Sequence, residues 1–156
     1  MLFRSTATDG TVTINKKTAS VSADAKAKTY GDLNPTLTAT VVGQVTGGDA
    51  ISYSLATTAT EFSNVGGYPI TVTLGSNPNY TVSKTDALLS VSAKLASVSA
   101  DNKAKTYGDL NPALTATVSG QVTGGDAIVY SLATTATQFS NVGGYPITVT
   151  LGSNPN

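Results

Sequence analysis

A period of 77 residues dominates this chain: shifted by that amount, residues 16–79 fall on 93–156 with 57 of 64 positions identical. Self-similarity at one fixed spacing marks a repeat architecture, in which each unit is one folding motif and interacts mainly with its neighbours. The phase of the repeat adds to this. Under the same shift residues 1–15 fall on 78–92, which pairs Phe3 with Tyr80, Asp9 with Asp86, Val12 with Leu89 and Ile14 with Val91. Residues 1–15 therefore read as the terminal hairpin of a preceding unit, 16–92 as a complete unit, and 93–156 as a second unit that lacks its C-terminal hairpin.

Within one unit, apolar and polar residues alternate with the period of strands that bury one face. Val21 and Ala23 alternate with Ser20, Ser22 and Asp24; Leu37, Ala39 and Val41 with Thr36, Thr38, Thr40 and Val42; Ile51, Tyr53 and Leu55 with Ser52 and Ser54; Tyr68, Ile70, Val72 and Leu74 with Thr71 and Thr73. Tyr80 and Val82, then Leu89 and Val91, flank the polar run Lys84-Thr85-Asp86 and read as a closing hairpin. About six strands per unit are expected, separated by turns rich in Gly and Asn, and no helix longer than the single turn that Gly47-Gly48-Asp49-Ala50-Ile51 would allow. The fold class is all-β: two tandem small β domains, Ig-like sandwiches or β-grasp-like sheets, in an elongated array. Where the copies differ, Thr36 against Ala113, Val42 against Ser119 and Ser52 against Val129 fall on the expected outer face, where exchanging polar for apolar is cheap. Thr18 against Leu95 and Ala25 against Asn102 are assigned to loops at the ends of the first strand.

With YGDLNP, LTATV, GGDAI, SNVGGYPITVT and NYTVS in that order, the unit resembles the MBG domains of the YGX type. The resemblance covers both units. It implies a small extracellular β module found in tandem in large bacterial surface and secreted proteins of adhesin type, serving as spacer, stalk or adhesive repeat, with no catalytic residues. One departure is the segment Lys84-Thr85-Asp86-Ala87, where the family has a short turn with Asn-Gly; Thr8 to Ile14 is closer to the family pattern.

Composition removes whole classes of chemistry. With neither Cys nor His, thiolate and imidazole catalysis are absent and so are the usual zinc ligands. No enzymatic activity and no cofactor are expected. Nine basic residues balance nine acidic ones, so nothing draws the chain to nucleic acid or to an anionic membrane, and no apolar run approaches the roughly 18 residues of a membrane span. Asp24, Asp32 and Asp49 lack the D-x-D-x-D-G spacing of a calcium loop and read as solvated turn acids. No signal peptide is legible in the first residues, so the expected location, outside the cell or on its surface, belongs to a larger protein.

Three functional expectations follow. The leading one is a structural and adhesive spacer whose partners are neighbouring copies of the repeat. A second is head-to-tail self-assembly, in which the N-terminal hairpin with Phe3, Val12 and Ile14 is donated to the incomplete unit of another chain. A third is binding of host or environmental surface glycans or proteins through Tyr30, Tyr68, Tyr107 and Tyr145. The octapeptide KTYGDLNP, at residues 28–35 and again at 105–112, reads as a signature of the fold: it ends the first strand, turns at Gly31-Asp32, and uses Pro35 to hold Asn34 extended.

Overall fold

The computed structural model describes Arg4 and residues 6–156, and its regular structure is entirely strand. The first unit holds β1 (Lys17–Ala23), β2 (Lys26–Thr29), β3 (Ala39–Val42), β4 (Tyr53–Thr57), β5 (Gly66–Leu74), β6 (Tyr80–Thr85) and β7 (Ala87–Ser92). The second holds β8 (Ser97–Ala100), β9 (Ala116–Ser119), β10 (Tyr130–Thr134) and β11 (Ile147–Leu151). The helical turn expected at residues 47–51 is a tight turn instead. Gly48 N–H closes it onto the Val45 carbonyl at 3.1 Å.

In the first unit the strands form two sheets, ordered β3-β1-β6 and β2-β7-β5-β4. Ala19 and Val21 of β1 and Tyr80 of β6 meet Val72 of β5 and Ile51 in one buried cluster, so the two sheets face each other across a shared core. That is a sandwich, and not a single β-grasp-like sheet. A second cluster of Ala59, Ile70 and Leu89 extends the core. The alternation predicts these faces well: Val21, Ile70, Val72 and Leu89 are fully buried. The exchanged positions 36, 42, 52, 113, 119 and 129 are all exposed. Tyr53, expected inward, is exposed on edge strand β4, and Thr18, expected in a loop, is an exposed residue of β1.

The expected closing hairpin does not form. β6 lies beside β1 in one sheet, whereas β7 lies between β2 and β5 in the other, and the two do not pair with each other. Residues 80–92 are a single path that crosses between sheets. It runs parallel to residues 17–29 at one constant offset, Lys17 opposite Tyr80 and Lys26 opposite Leu89. Both paths cross together, at Asp24-Ala25 and at Asp86, which is why the first strand is split in two and the unit has seven strands.

The polar run that suggested a turn has another task. β7 pairs with β5 only as far as Ala87 opposite Ile70, which leaves the Val72 peptide beyond the ladder. Val72 N–H donates to the Asp86 carboxylate at 2.7 Å, and the Lys84 ammonium donates to the Val72 carbonyl at 2.6 Å. Side chains thus supply the hydrogen bonds that the departing strand withdraws. Asp24 marks the companion crossing, accepting from the Thr38 and Thr40 hydroxyls at 2.6 and 3.1 Å.

The second unit repeats this plan without its counterpart of residues 80–92. Only the pairs β8-β9 and β10-β11 remain. Residues 103–106 and 143–146, whose equivalents Lys26–Thr29 and Gly66–Pro69 flank β7, are not strands. No residue of 93–156 is fully buried, although its sequence nearly duplicates one that is well packed. The described residues before β1 carry no strand and are exposed, so a hairpin is absent from 6–16; Phe3 lies outside the described residues.

Candidate functional site

The repeated octapeptide is the starting point, because its polar side chains converge on one loop. The Lys28 ammonium, buried at the end of β2, donates to the carbonyls of Asp32, Thr60 and Glu61 at 2.8, 2.5 and 3.1 Å. Asn34 donates to the Ala59 carbonyl at 2.6 Å, and Gly31 N–H to that of Glu61 at 3.2 Å. Three donors therefore hold residues 59–61. An ammonium has three protons and no acceptor, so three carbonyls are its full complement and make its burial tolerable. The same clamp recurs in the second unit, where Lys105 reaches Asp109, Thr137 and Gln138, and Asn111 reaches Ala136.

Between the clamp residues the chain turns. Asp32 N–H returns to the Thr29 carbonyl at 3.0 Å, with Gly31 at φ +83°. This turn pushes Tyr30 out of its own unit and against the next one. The Tyr30 hydroxyl accepts Asp126 N–H at 2.8 Å, while its ring lies 6.4 Å from that of Phe62 at 57°. Val122 sits directly over Gly31, so close that a Cβ there would lie 2.5 Å from Val122 Cγ1. Asn156 completes the contact: its Oδ1 accepts Val65 N–H at 3.0 Å and its Nδ2 donates to Asn64 Oδ1 at 3.0 Å and Asp126 Oδ2 at 2.7 Å.

One end of the first unit, Tyr30, Gly31, Phe62, Asn64 and Val65, thus receives the Val122–Asp126 loop and Asn156 of the second. Identical residues behave differently on either side of this joint. Tyr30, covered by that loop, is 4% exposed, and Tyr107 is 64% exposed. Conversely, the first unit carries its own exposed loop at residues 45–49, with Asn79 donating to Asp49 at 2.6 Å just as Asn156 does to Asp126. Each unit has a socket at one end and a loop at the other.

The residues singled out from sequence are distributed as follows. Tyr30 is taken up in the joint; Tyr68 is half-buried on the Ile70–Leu89 cluster, its hydroxyl donating to the Asn64 carbonyl at 2.9 Å. Tyr107 and Tyr145 both line an open cleft of about 470 Å³ in the second unit. Val12 and Ile14 are exposed and lie in no site. Asp24 and its counterpart Asp101 are held below the usual carboxylate range by the hydroxyls of Thr38 and Thr40, and of Thr115 and Thr117. Among the described residues no group of three His, Cys, Asp or Glu side chains converges as a metal site would require. Sequence reasoning missed Phe62, Asn64, Val122 and Asn156. With so few differences between the copies, nothing in the sequence distinguished joint residues from the rest.

Fold and joint together define a class: tandem all-β units docked end to end through a conserved-in-both-copies loop and socket. A scan against protein families matches the MBG domain (YGX type) at residues 19–90 and again at 96–156, and the chain belongs to that family. Comparisons with curated proteins and with solved structures gave no match.

Proposed function

We propose that the chain is a non-catalytic structural segment of a larger bacterial surface or secreted protein, a spacer that sets the separation and orientation of binding regions elsewhere in that protein. The observation that carries this reading is the joint. A Tyr30 hydroxyl bonded to the Asp126 backbone and a Val122 seated on Gly31 fix one unit against the next without a flexible linker between them. Because socket and loop recur in each unit, successive joints repeat the same geometry, and stiffness is propagated by nearest-neighbour contacts.

The test is small-angle X-ray scattering on chains of two, four and six units. A spacer of this kind gives a maximum dimension that rises by a constant increment per unit and a scattering curve that one rigid arrangement fits. A freely jointed chain of beads, insensitive to Tyr30→Ala, would overturn the reading.

A further inference from the structure

One edge of the sandwich differs from the others. The edge strands of the first unit are β3 and β6 in one sheet and β2 and β4 in the other. β2 carries Lys26 and Lys28, β6 carries Lys84, and beside β3 the Asp24 carboxylate is bonded to Thr38 and Thr40. Charge at an edge discourages a further strand from pairing there. β4 has no such guard: from Ala50 to Thr60 the chain carries neither a charged residue nor Pro, and the same holds from Ala127 to Thr137 around β10.

The ladder shows which groups β4 leaves open. Gly75 N–H donates to the Ser52 carbonyl at 2.9 Å, whereas Val72 N–H points the other way, to Asp86. With Tyr53 opposite Leu74, the alternation of an antiparallel pair gives the bonds to β5 to Ser54 and Ala56. Tyr53, Leu55 and Thr57 therefore hold their N–H and C=O groups on the side away from β5, where no strand lies. The second unit repeats this. Gly152 N–H donates to the Val129 carbonyl at 2.9 Å, which turns Tyr130, Leu132 and Thr134 outward on β10. The joint engages Val122, Asp126 and Asn156 and nothing of β10, so this edge stays open wherever a unit stands in an array.

We infer that this edge is a site of β-strand addition, and that the added strand is the same strand, β4 or β10, of a second copy of this chain, running antiparallel. The strand is its own complement. A two-fold axis through Leu55 sets Leu55 against Leu55, Tyr53 against Thr57 and Ser54 against Ala56, so every outward N–H meets an outward C=O. Tyr53 favours this occupant. It lies on the same face of β4 as the core residue Leu55 yet is exposed, and the incoming Thr57 and Leu55 cover it in an aromatic and β-branched cross-strand contact. The second copy brings no charge to the edge, and its small Ser54 and Ala56 raise no clash on the other face. Each chain offers the edge twice, on units that the joint holds together, so lateral association strengthens with the number of units.

The chain contains no Cys, so engineered pairs report the contact directly. Ser54 and the facing Ala56 occupy a non-hydrogen-bonded position with Cα atoms about 4.5 Å apart, within the range that a disulfide spans. Ser54→Cys protein mixed with Ala56→Cys or Ala133→Cys protein is expected to give disulfide-linked pairs of chains. Thr73→Cys protein, altered one strand in from the edge, is not. Sedimentation velocity of the unmodified chain is expected to show mass rising with concentration. Ser54→Lys and Ala56→Lys, combined with Ser131→Lys and Ala133→Lys, set like charges opposite each other and are expected to abolish that rise; all these side chains are exposed, so the fold is retained. Mixing this variant with the corresponding Glu variant is expected to restore association. Mass independent of concentration, association unchanged by the Lys substitutions, a mixture that stays monomeric, or equal crosslinking from positions 54 and 73 would each overturn the proposal. None of these outcomes bears on the spacer reading, which rests on the joint within one chain.

Discussion

Lys28 illustrates how a residue type normally found at the surface becomes structural. Its ammonium is enclosed by three carbonyls of two loop segments, so Lys28→Met takes the side-chain donor from the part-buried Asp32 and Thr60 carbonyls, while that of Glu61 keeps Gly31 N–H. At about 1–3 kcal/mol for an unsatisfied buried group, partly relieved by local movement, the change is expected to cost roughly 2–4 kcal/mol in chemical denaturation. Lys105→Met removes the same three bonds at a more exposed site, where water replaces the lost donor, and is expected to cost under about 1 kcal/mol. A second residue-scale expectation concerns acid. The carboxyl of Asp24 is lowered from its ordinary 3.8, first by the Thr38 hydroxyl and then by that of Thr40. A depressed folded-state value means that the contribution is fully present above that ordinary value and is lost as pH falls through the lower, folded one. Stability followed by circular dichroism is expected to decline in that window, with Asp24→Asn flattening its share of the slope.

At the scale of the element, β7 shows where sequence legibility ended. Most strands in the first unit were readable as alternation, because one face is the more buried and the period of two is local information; β2 was not, being read as the end of the first strand. That residues 80–92 divide between two sheets was not readable. It is fixed by pairing with residues 17–29, far away in sequence, and a polar Lys84-Thr85-Asp86 between apolar pairs looks the same whether the chain turns back or crosses over. The role of Asp86 separates the two. Asp86→Ala leaves the Val72 amide without its acceptor and is expected to destabilise the first unit by about 1–3 kcal/mol. In a hairpin turn exposed to water the same substitution would cost little. Leu89→Ala, at a fully buried position of an inner strand, is expected to cost about 2–5 kcal/mol in chemical denaturation, whereas Val12→Ala, at an exposed position, is expected to be neutral.

At the scale of the whole molecule, the repeat predicted that like units would meet but not which residues would meet. Tyr30 and Tyr107 have identical local sequences, so their burial is decided by a neighbour that local sequence does not contain. The glycines beside them offer a controlled measurement of that neighbour. Gly31 and Gly108 have nearly the same backbone, φ +83° and +90°, so replacing either by Ala incurs the same penalty of about 1–2 kcal/mol for a left-handed conformation. Only Gly31 faces another unit. A Cβ there meets Val122 Cγ1 and Cγ2 at 2.5 and 2.7 Å, whereas one on Gly108 meets nothing within 4 Å. Val122 is β-branched and has little rotamer freedom with which to yield, so the units must separate. In hydrogen exchange followed residue by residue, Gly31→Ala is expected to accelerate the Asp126 amide, whose proton is held by the Tyr30 hydroxyl across the joint. Gly108→Ala is expected to leave that amide unchanged while destabilising its own turn. Because the backbone penalty is common to both, the contrast isolates the joint, and equal protection of Asp126 in the two variants would mean that the units are not held together there.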